Sequence, residues 1–224
     1  MNKYLRILSA LLYILALIFL TLYFAVDISP YVRLIILIFS CTAGYFASFV
    51  YAKTLQKENA QKLMKGTFAA FFVIYIFFLV TLVLFDSYFG RIGASNIPKW
   101  TRDAFKAYFD TRVNFVPFKT VIAFISGLFS GNVKVFLVNV LGNLAAFSPF
   151  GFFLPVLFEK QKAFKNFLIT MVIIVLSAEI LQMLLLTGAF DVDDIILNVG
   201  GACVVFGLLK LKCVSKITKA VMLK

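Results

Sequence analysis

Histidine is missing altogether from these 224 residues, and acids are scarce, with ten Asp and Glu against 22 Lys and Arg. Without an imidazole there is no Ser-His-Asp or Cys-His nucleophile, no HExxH zinc site and no His-ligated haem. Any chemistry falls to carboxylates, Arg, Lys, Tyr or an unassisted hydroxyl. Cysteine is sparse too. Cys41, Cys203 and Cys213 are odd in number and lack CxxC spacing, so neither a disulfide framework nor a zinc site is indicated. Charge of either sign makes up only 14% of the chain, where soluble domains carry about a quarter.

Apolar residues fill the space that charge leaves. They make up 62% of the chain, and mean hydropathy is +1.00. A soluble protein of this size could not hide so much apolar surface, whereas lipid solvates it. Charge-free runs cover Ile7–Val26, Leu34–Ala52, Gly66–Phe85 and Val135–Phe158; a fifth, Asn166–Phe190, is broken only by Glu179, and a sixth, Ile195–Leu209, is short. A helix needs about 20 residues to cross the hydrocarbon core, fewer when flanking Lys side chains snorkel. The expectation is an all-α integral membrane protein of six spans. Lys3 and Arg6 ahead of the first run resemble a signal peptide, but the run is long for one and no small-x-small cleavage site follows, so it reads as a retained helix.

The excess of positive charge is explained by topology rather than by nucleic acid, for which no motif is present. With the N-terminus in the cytoplasm, the inner segments 1–6, 53–65, 159–165 and 210–224 hold 14 of the 22 Lys and Arg, as the positive-inside rule requires. Both termini are then cytoplasmic, and residues 86–134 lie outside. That segment should carry one or two interfacial or re-entrant helices within 90–132. Trp100, Ala104, Phe105, Tyr108 and Phe109 share one helical side with charge on the other, the pattern of a helix in the membrane interface. Val121 to Phe129 is apolar but too short to span. The chain divides into an N-terminal two-helix hairpin with its basic inner loop (1–66), a second domain (67–210) and a basic tail (211–224).

Buried polarity is concentrated. The fourth span carries Asn139 and Asn143, the fifth Glu179 and Gln182, and the sixth begins with Asp194 and Asn198. The topology delivers Asn139, Glu179, Asp194 and Asn198 to one depth, within about 12 Å of the outer boundary at 1.5 Å per residue. A charged residue inside a membrane costs roughly 2.5–3.5 kcal/mol on insertion scales. Glu179 therefore needs a partner, and Arg112, with Asn114 beside it, is the expected cation. The alternative reading is that these amides and acids only stitch helices together by hydrogen bonds. Asp191, Asp193 and Asp194 lack the glycine and twelfth-position Glu of a calcium loop, and capping of the sixth helix by Asp191 or Asp193 is the ordinary use of such residues. No metal and no cofactor is assigned.

Three stretches together resemble the VanZ-like family of bacterial membrane proteins. They are Arg112-x-Asn114-Phe115-x-Pro117-Phe118; Asn139-x-x-Gly142-Asn143-x-x-x-Phe147-x-Pro149-x-Gly151-Phe152; and Glu179-x-x-Gln182 followed by Phe190-Asp191-x-Asp193-Asp194-x-x-x-Asn198-x-x-Gly201. The resemblance covers roughly residues 68–210. It implies a cell-envelope membrane protein of the kind that lowers susceptibility to teicoplanin, a glycopeptide antibiotic. Three functions follow for Arg112, Asn114, Asn139, Asn143, Glu179, Gln182, Asp193, Asp194 and Asn198. The first is an outer-leaflet pocket for an envelope lipid or lipid-linked cell-wall precursor, with membrane lipids as partners. The second is an intramembrane enzyme drawing its acid and base from Glu179, Asp191 and Asp194 and acting on a lipid headgroup. The third is a transporter, against which stands the lack of a visible inverted repeat.

Overall fold

In hydrocarbon every backbone N–H and C=O must find its partner within the segment, so long apolar runs become helices. The computed structural model describes residues 2–26, 29–85, 99–131 and 133–222 and bears this out. Among the described residues, six helices are long and apolar enough to cross a membrane: Lys3–Ala25, Val32–Ala52, Lys57–Leu84, Val133–Leu157, Phe164–Leu185 and Val192–Lys210. The short sixth run lengthens because Asp193 and Asp194 are absorbed into the first turn of its helix, where the positive end of the helix dipole stabilises acids. Asp27 and Ile28 of the first turn, and residues 86–98 of the long segment, lie outside the described residues.

The chain falls into two units, Met1–Ile74 with Cys213–Lys224, and Tyr75–Lys212. In the first, α1 (Asn2–Ala25) and α2 (Pro30–Ala52) form an antiparallel hairpin. Small polar side chains hold it together, as lipid supplies no hydrophobic drive between helices. Ser9 Oγ donates to the Ala47 carbonyl at 2.9 Å and Ser40 Oγ to that of Ala16 at 2.8 Å. Tyr13 Oη meets Ser48 Oγ at 2.8 Å, and Thr67 Oγ1, on α3 (Lys57–Phe85), donates to the same hydroxyl at 2.7 Å.

The second unit runs from Tyr75 of α3 through α4 (Arg102–Arg112), β1 (Val113–Asn114) and α5 (Lys119–Phe129) to a broken fourth span. Where one continuous helix is expected, the chain makes α6 (Val133–Phe136), a π-helical turn (Leu137–Leu141), α7 (Gly142–Ala146) and α8 (Phe150–Leu157). The wide turn places the Gly142 N–H on the Leu137 carbonyl, and Pro149 removes a donor at the second break. A short 3₁₀ turn (Glu159–Lys162) leads to α9 (Phe164–Leu185), and β2 (Phe190–Asp191) leads to α10 (Val192–Lys210). Back in the first unit, α11 (Lys212–Val221) gives the basic tail a helical form.

Glycine decides how closely the fourth and sixth spans pack. A Cβ on Gly201 would sit 1.9 Å from the Leu144 carbonyl oxygen, and one on Gly151 would sit 2.3 Å from that of Ala202. Residues 144 and 151 thus meet 201 and 202 in the same order, so the two spans run parallel in contact. Tyr75 locks the break between α7 and α8, donating its hydroxyl to the Ala146 carbonyl at 2.6 Å. Its ring packs edge-on to Phe150 and stacks on Phe153.

Candidate functional site

One face of α9 changes character along its length. Phe167, Met171, Val175, Glu179 and Gln182 are its buried residues, a stripe at helical spacing that is apolar for three positions and then polar. Beyond Gln182 the helix ends on Leu186, in the left-handed region at φ 55°. The Thr187 N–H returns to the Gln182 carbonyl at 3.0 Å and the Leu186 N–H to that of Met183 at 3.2 Å. This is the closing geometry glycine usually provides.

The turn that follows is tied to the segment after α4 by a parallel pairing of two residues on each side, Val113 with Phe190 and Asn114 with Asp191. Side chains reinforce it. Asn114 Nδ2 donates to Asp191 Oδ1 at 2.9 Å, and Thr120 Oγ1 donates to Asp191 Oδ2 at 2.6 Å. Asp191 also caps α10, its Oδ1 accepting the Asp193 N–H at 2.9 Å, as expected of that residue. Asn114 accepts the Val116 N–H at 3.1 Å, which shapes the turn into Pro117.

Asp193 does something different from capping its own helix. Its carboxylate lies at the start of α5, whose first donors have no partner inside the helix. Oδ1 accepts the Phe118 N–H at 2.5 Å, while Oδ2 accepts those of Thr120 at 2.8 Å and Val121 at 3.1 Å. Phe118 stands at the N-cap position with φ 63° and has no acceptor of its own, so an aspartate distant in sequence provides the cap and the favourable charge. Asp193 is 1% exposed.

Deeper in the site, Glu179 is 3% exposed and its Oε2 accepts the Asp191 N–H at 3.4 Å. Asn143 of α7 donates its Nδ2 to Asp194 Oδ1. Gln182 Nε2 donates to the Val83 carbonyl at 2.9 Å, while its Oε1 is buried without a partner. Asn198 Oδ1 and Thr187 Oγ1 are in the same condition, which is uncommon for buried polar atoms. Among the described residues no three His, Cys, Asp or Glu side chains are grouped as a metal ion would need.

Asn114, Glu179, Asp191 and Asp193 therefore come together around the turn before α10, and Asn143 and Asp194 pair beside it. Asn139 turns away: its Nδ2 donates to the Val135 carbonyl of its own helix at 2.8 Å. Arg112 makes no ion pair with Glu179. It is exposed at the last turn of α4, and among the described residues it meets no carboxylate. The acids that face the segment after α4 are Asp191 and Asp193, and these are held by N–H and O–H donors of residues 114–121. Thr120, Thr187 and Tyr75 were not anticipated. Only Thr120, next to Lys119 at the head of an apolar run, carried a usable signal as a helix-start residue.

No curated protein and no solved structure matches the chain. The model of the VanZ/LLP1 family matches residues 72–213, a stretch that contains every side chain of the cluster. With more than half of its length so matched, the chain belongs to the VanZ/LLP1 family.

Proposed function

We propose that this multi-pass membrane protein is a cell-envelope protein holding an envelope lipid, or a lipid-linked cell-wall precursor, against the cluster around the turn before α10. Both termini face the cytoplasm in this reading, and residues 86–134 face out. Occupancy of the precursor limits access by glycopeptides such as teicoplanin. The observation that carries the reading is the division of labour among charges. Asp191 and Asp193 are occupied by donors from residues 114–121, whereas Arg112, next to that segment, is left exposed. A guanidinium in this position can grip a phosphate through two parallel hydrogen bonds. Trp100, Phe109 and Phe115, exposed by 61%, 47% and 63%, keep the segment at the level of the headgroups.

The test is to purify the protein and identify co-purifying lipids by mass spectrometry. An envelope lipid should be enriched over the bulk membrane, and Arg112→Ala should reduce it about tenfold, with Arg112→Lys intermediate. Absence of any enriched lipid on the wild type would sink the proposal.

One observation favours a second reading, an enzyme acting on a lipid headgroup. Glu179 is a buried carboxyl beside the turn, its Oε2 on the Asp191 N–H, and in this reading it exchanges protons with the headgroup while Asp191 or Asp194 serves as the second carboxyl. Glu179→Gln keeps shape and hydrogen-bonding capacity but cannot transfer a proton. At equal membrane abundance, an enzyme should lose at least a hundredfold in turnover of the enriched lipid with Gln, whereas a binding site should keep its lipid.

A further inference from the structure

The side that α4 leaves open is not the one its apolar spacing suggests. Tyr108 is 5% exposed and Ala104 is half-buried, so the middle of the expected lipid-facing side is turned into the protein. Beside it runs a stripe of mixed character. Arg102, Phe105, Lys106 and Phe109 are spaced i, i+3, i+4 and i+7 along the helix. Phe105 is half-buried and the other three are exposed. Asp103 and Asp110 share another side, roughly a quarter-turn away. Both stand within four positions of Lys106, yet among the described residues neither Lys106 nor Arg102 meets a carboxylate.

The stripe continues beyond the helix as a ladder of rings. Trp100 lies 5.7 Å from Phe105, Phe105 6.4 Å from Phe109, Phe109 6.3 Å from Phe115 and Phe115 5.5 Å from Phe190, centroid to centroid. Phe190 belongs to the turn before α10, so the ladder is anchored where the last span begins.

We propose that this basic and aromatic stripe docks flat on the headgroup layer of an anionic bilayer. The partner is a lipid surface, which needs no concave site. It needs rings held at the membrane boundary with cations between them, as the ladder provides with Arg102 and Lys106. These two cations lie outside the basic segments 1–6, 53–65, 159–165 and 210–224, so the orientation of the spans does not account for them. The acids of α4 face away from the stripe, which spares them repulsion by the phosphates. Arg112 is kept in every variant below, because the function proposed above already uses it.

Trp100 is the only tryptophan of the chain, and its place on the ladder makes its fluorescence a direct reporter. The full chain is reconstituted in vesicles of phosphatidylcholine with brominated acyl chains, with or without phosphatidylglycerol. Both leaflets carry the same lipid, so the reading does not depend on which way the protein inserts. Attraction to an anionic surface gives about fivefold per cation, or on the order of twenty-fivefold in the docked-to-free ratio for two. Quenching of Trp100 should therefore be strong with phosphatidylglycerol, weak without it, and relieved by high salt. Arg102→Gln with Lys106→Gln should lower quenching to the level seen in phosphatidylcholine alone. Adding Ala107→Lys and Thr111→Lys to that variant restores the net charge on the opposite side of α4 and should not restore quenching. Equal quenching in the two lipids, whether strong or weak, overturns the proposal. So does rescue by the relocated lysines, because net charge rather than the stripe would then attract the lipid. None of these readings depends on a lipid held by Arg112, so the two proposals fail separately.

Discussion

At the scale of single residues, Asp193 is the position on which the long segment most depends. Its carboxyl oxygens accept from three backbone donors of α5 in a buried place, and a buried donor left without its acceptor costs about 1–3 kcal/mol. Asp193→Asn keeps the volume but loses one acceptor and the charge. It should lower stability by about 2–3 kcal/mol, read as a drop in the thermal midpoint of the detergent-solubilised protein. Hydrogen exchange should rise first at residues 118–121. A variant that melts with the wild type, its α5 amides still protected, would show that the cap is dispensable. Asp191→Asn should cost less, because an amide oxygen can still accept from Asn114 or Thr120. Asp193's role was hidden in the sequence for a physical reason. The partners of its carboxyl oxygens are more than seventy residues away, and local capping rules see only the helix that a residue begins.

At the scale of elements, helix existence was legible and helix interruption was not. Apolar run length reports the requirement that a span satisfy its own backbone, so all six spans could be read directly. The facing of Glu179 and Gln182 followed from their spacing alone. The π-turn at Leu137–Leu141 left no such trace, since nothing in a stretch of Leu, Val and Asn distinguishes an i→i+5 ladder from an i→i+4 one. Leu186 and Phe118 hide their turns for the opposite reason, occupying left-handed positions where glycine or asparagine would have announced them. The glycines of the crossing between fourth and sixth spans do announce something. Gly201→Ala drives a methyl into the Leu144 carbonyl, which is backbone and cannot rotate aside. The spans must separate, at a cost on the order of 1–3 kcal/mol. The Asn143–Asp194 bond, at the neighbouring contact of the same two spans, should weaken with them. Unfolding in detergent should show the loss, whereas Gly200→Ala, whose Cβ meets nothing within 4 Å, should behave like the wild type.

For the molecule as a whole, orientation is the property that gives every site its compartment. Lys57, Lys99 and Lys162 are all exposed, which makes them suitable reporters. In a cysteine-free background, Lys57→Cys, Lys99→Cys and Lys162→Cys should divide cleanly. Only the cysteine at 99 should react with an impermeant thiol reagent in intact cells, and all three should react after permeabilisation. Labelling at 57 or 162 in intact cells would reverse the assignment of the basic loops and move the cluster to the cytoplasmic side.

The long reach of Asp193 also sets a schedule. Thr120 and its carboxylate partner are 73 residues apart in the chain, and synthesis adds about 5–20 residues each second. For roughly 4–15 s, then, α5 exists on the nascent chain with the leading donors of its first turn unanswered. Too short to span and uncapped, it has to wait at the membrane surface while the fourth and fifth spans are made. Only the arrival of the sixth completes its first turn. Nascent chains stalled before residue 193 should leave residues 118–121 open to protease, and chains stalled well beyond it should protect them.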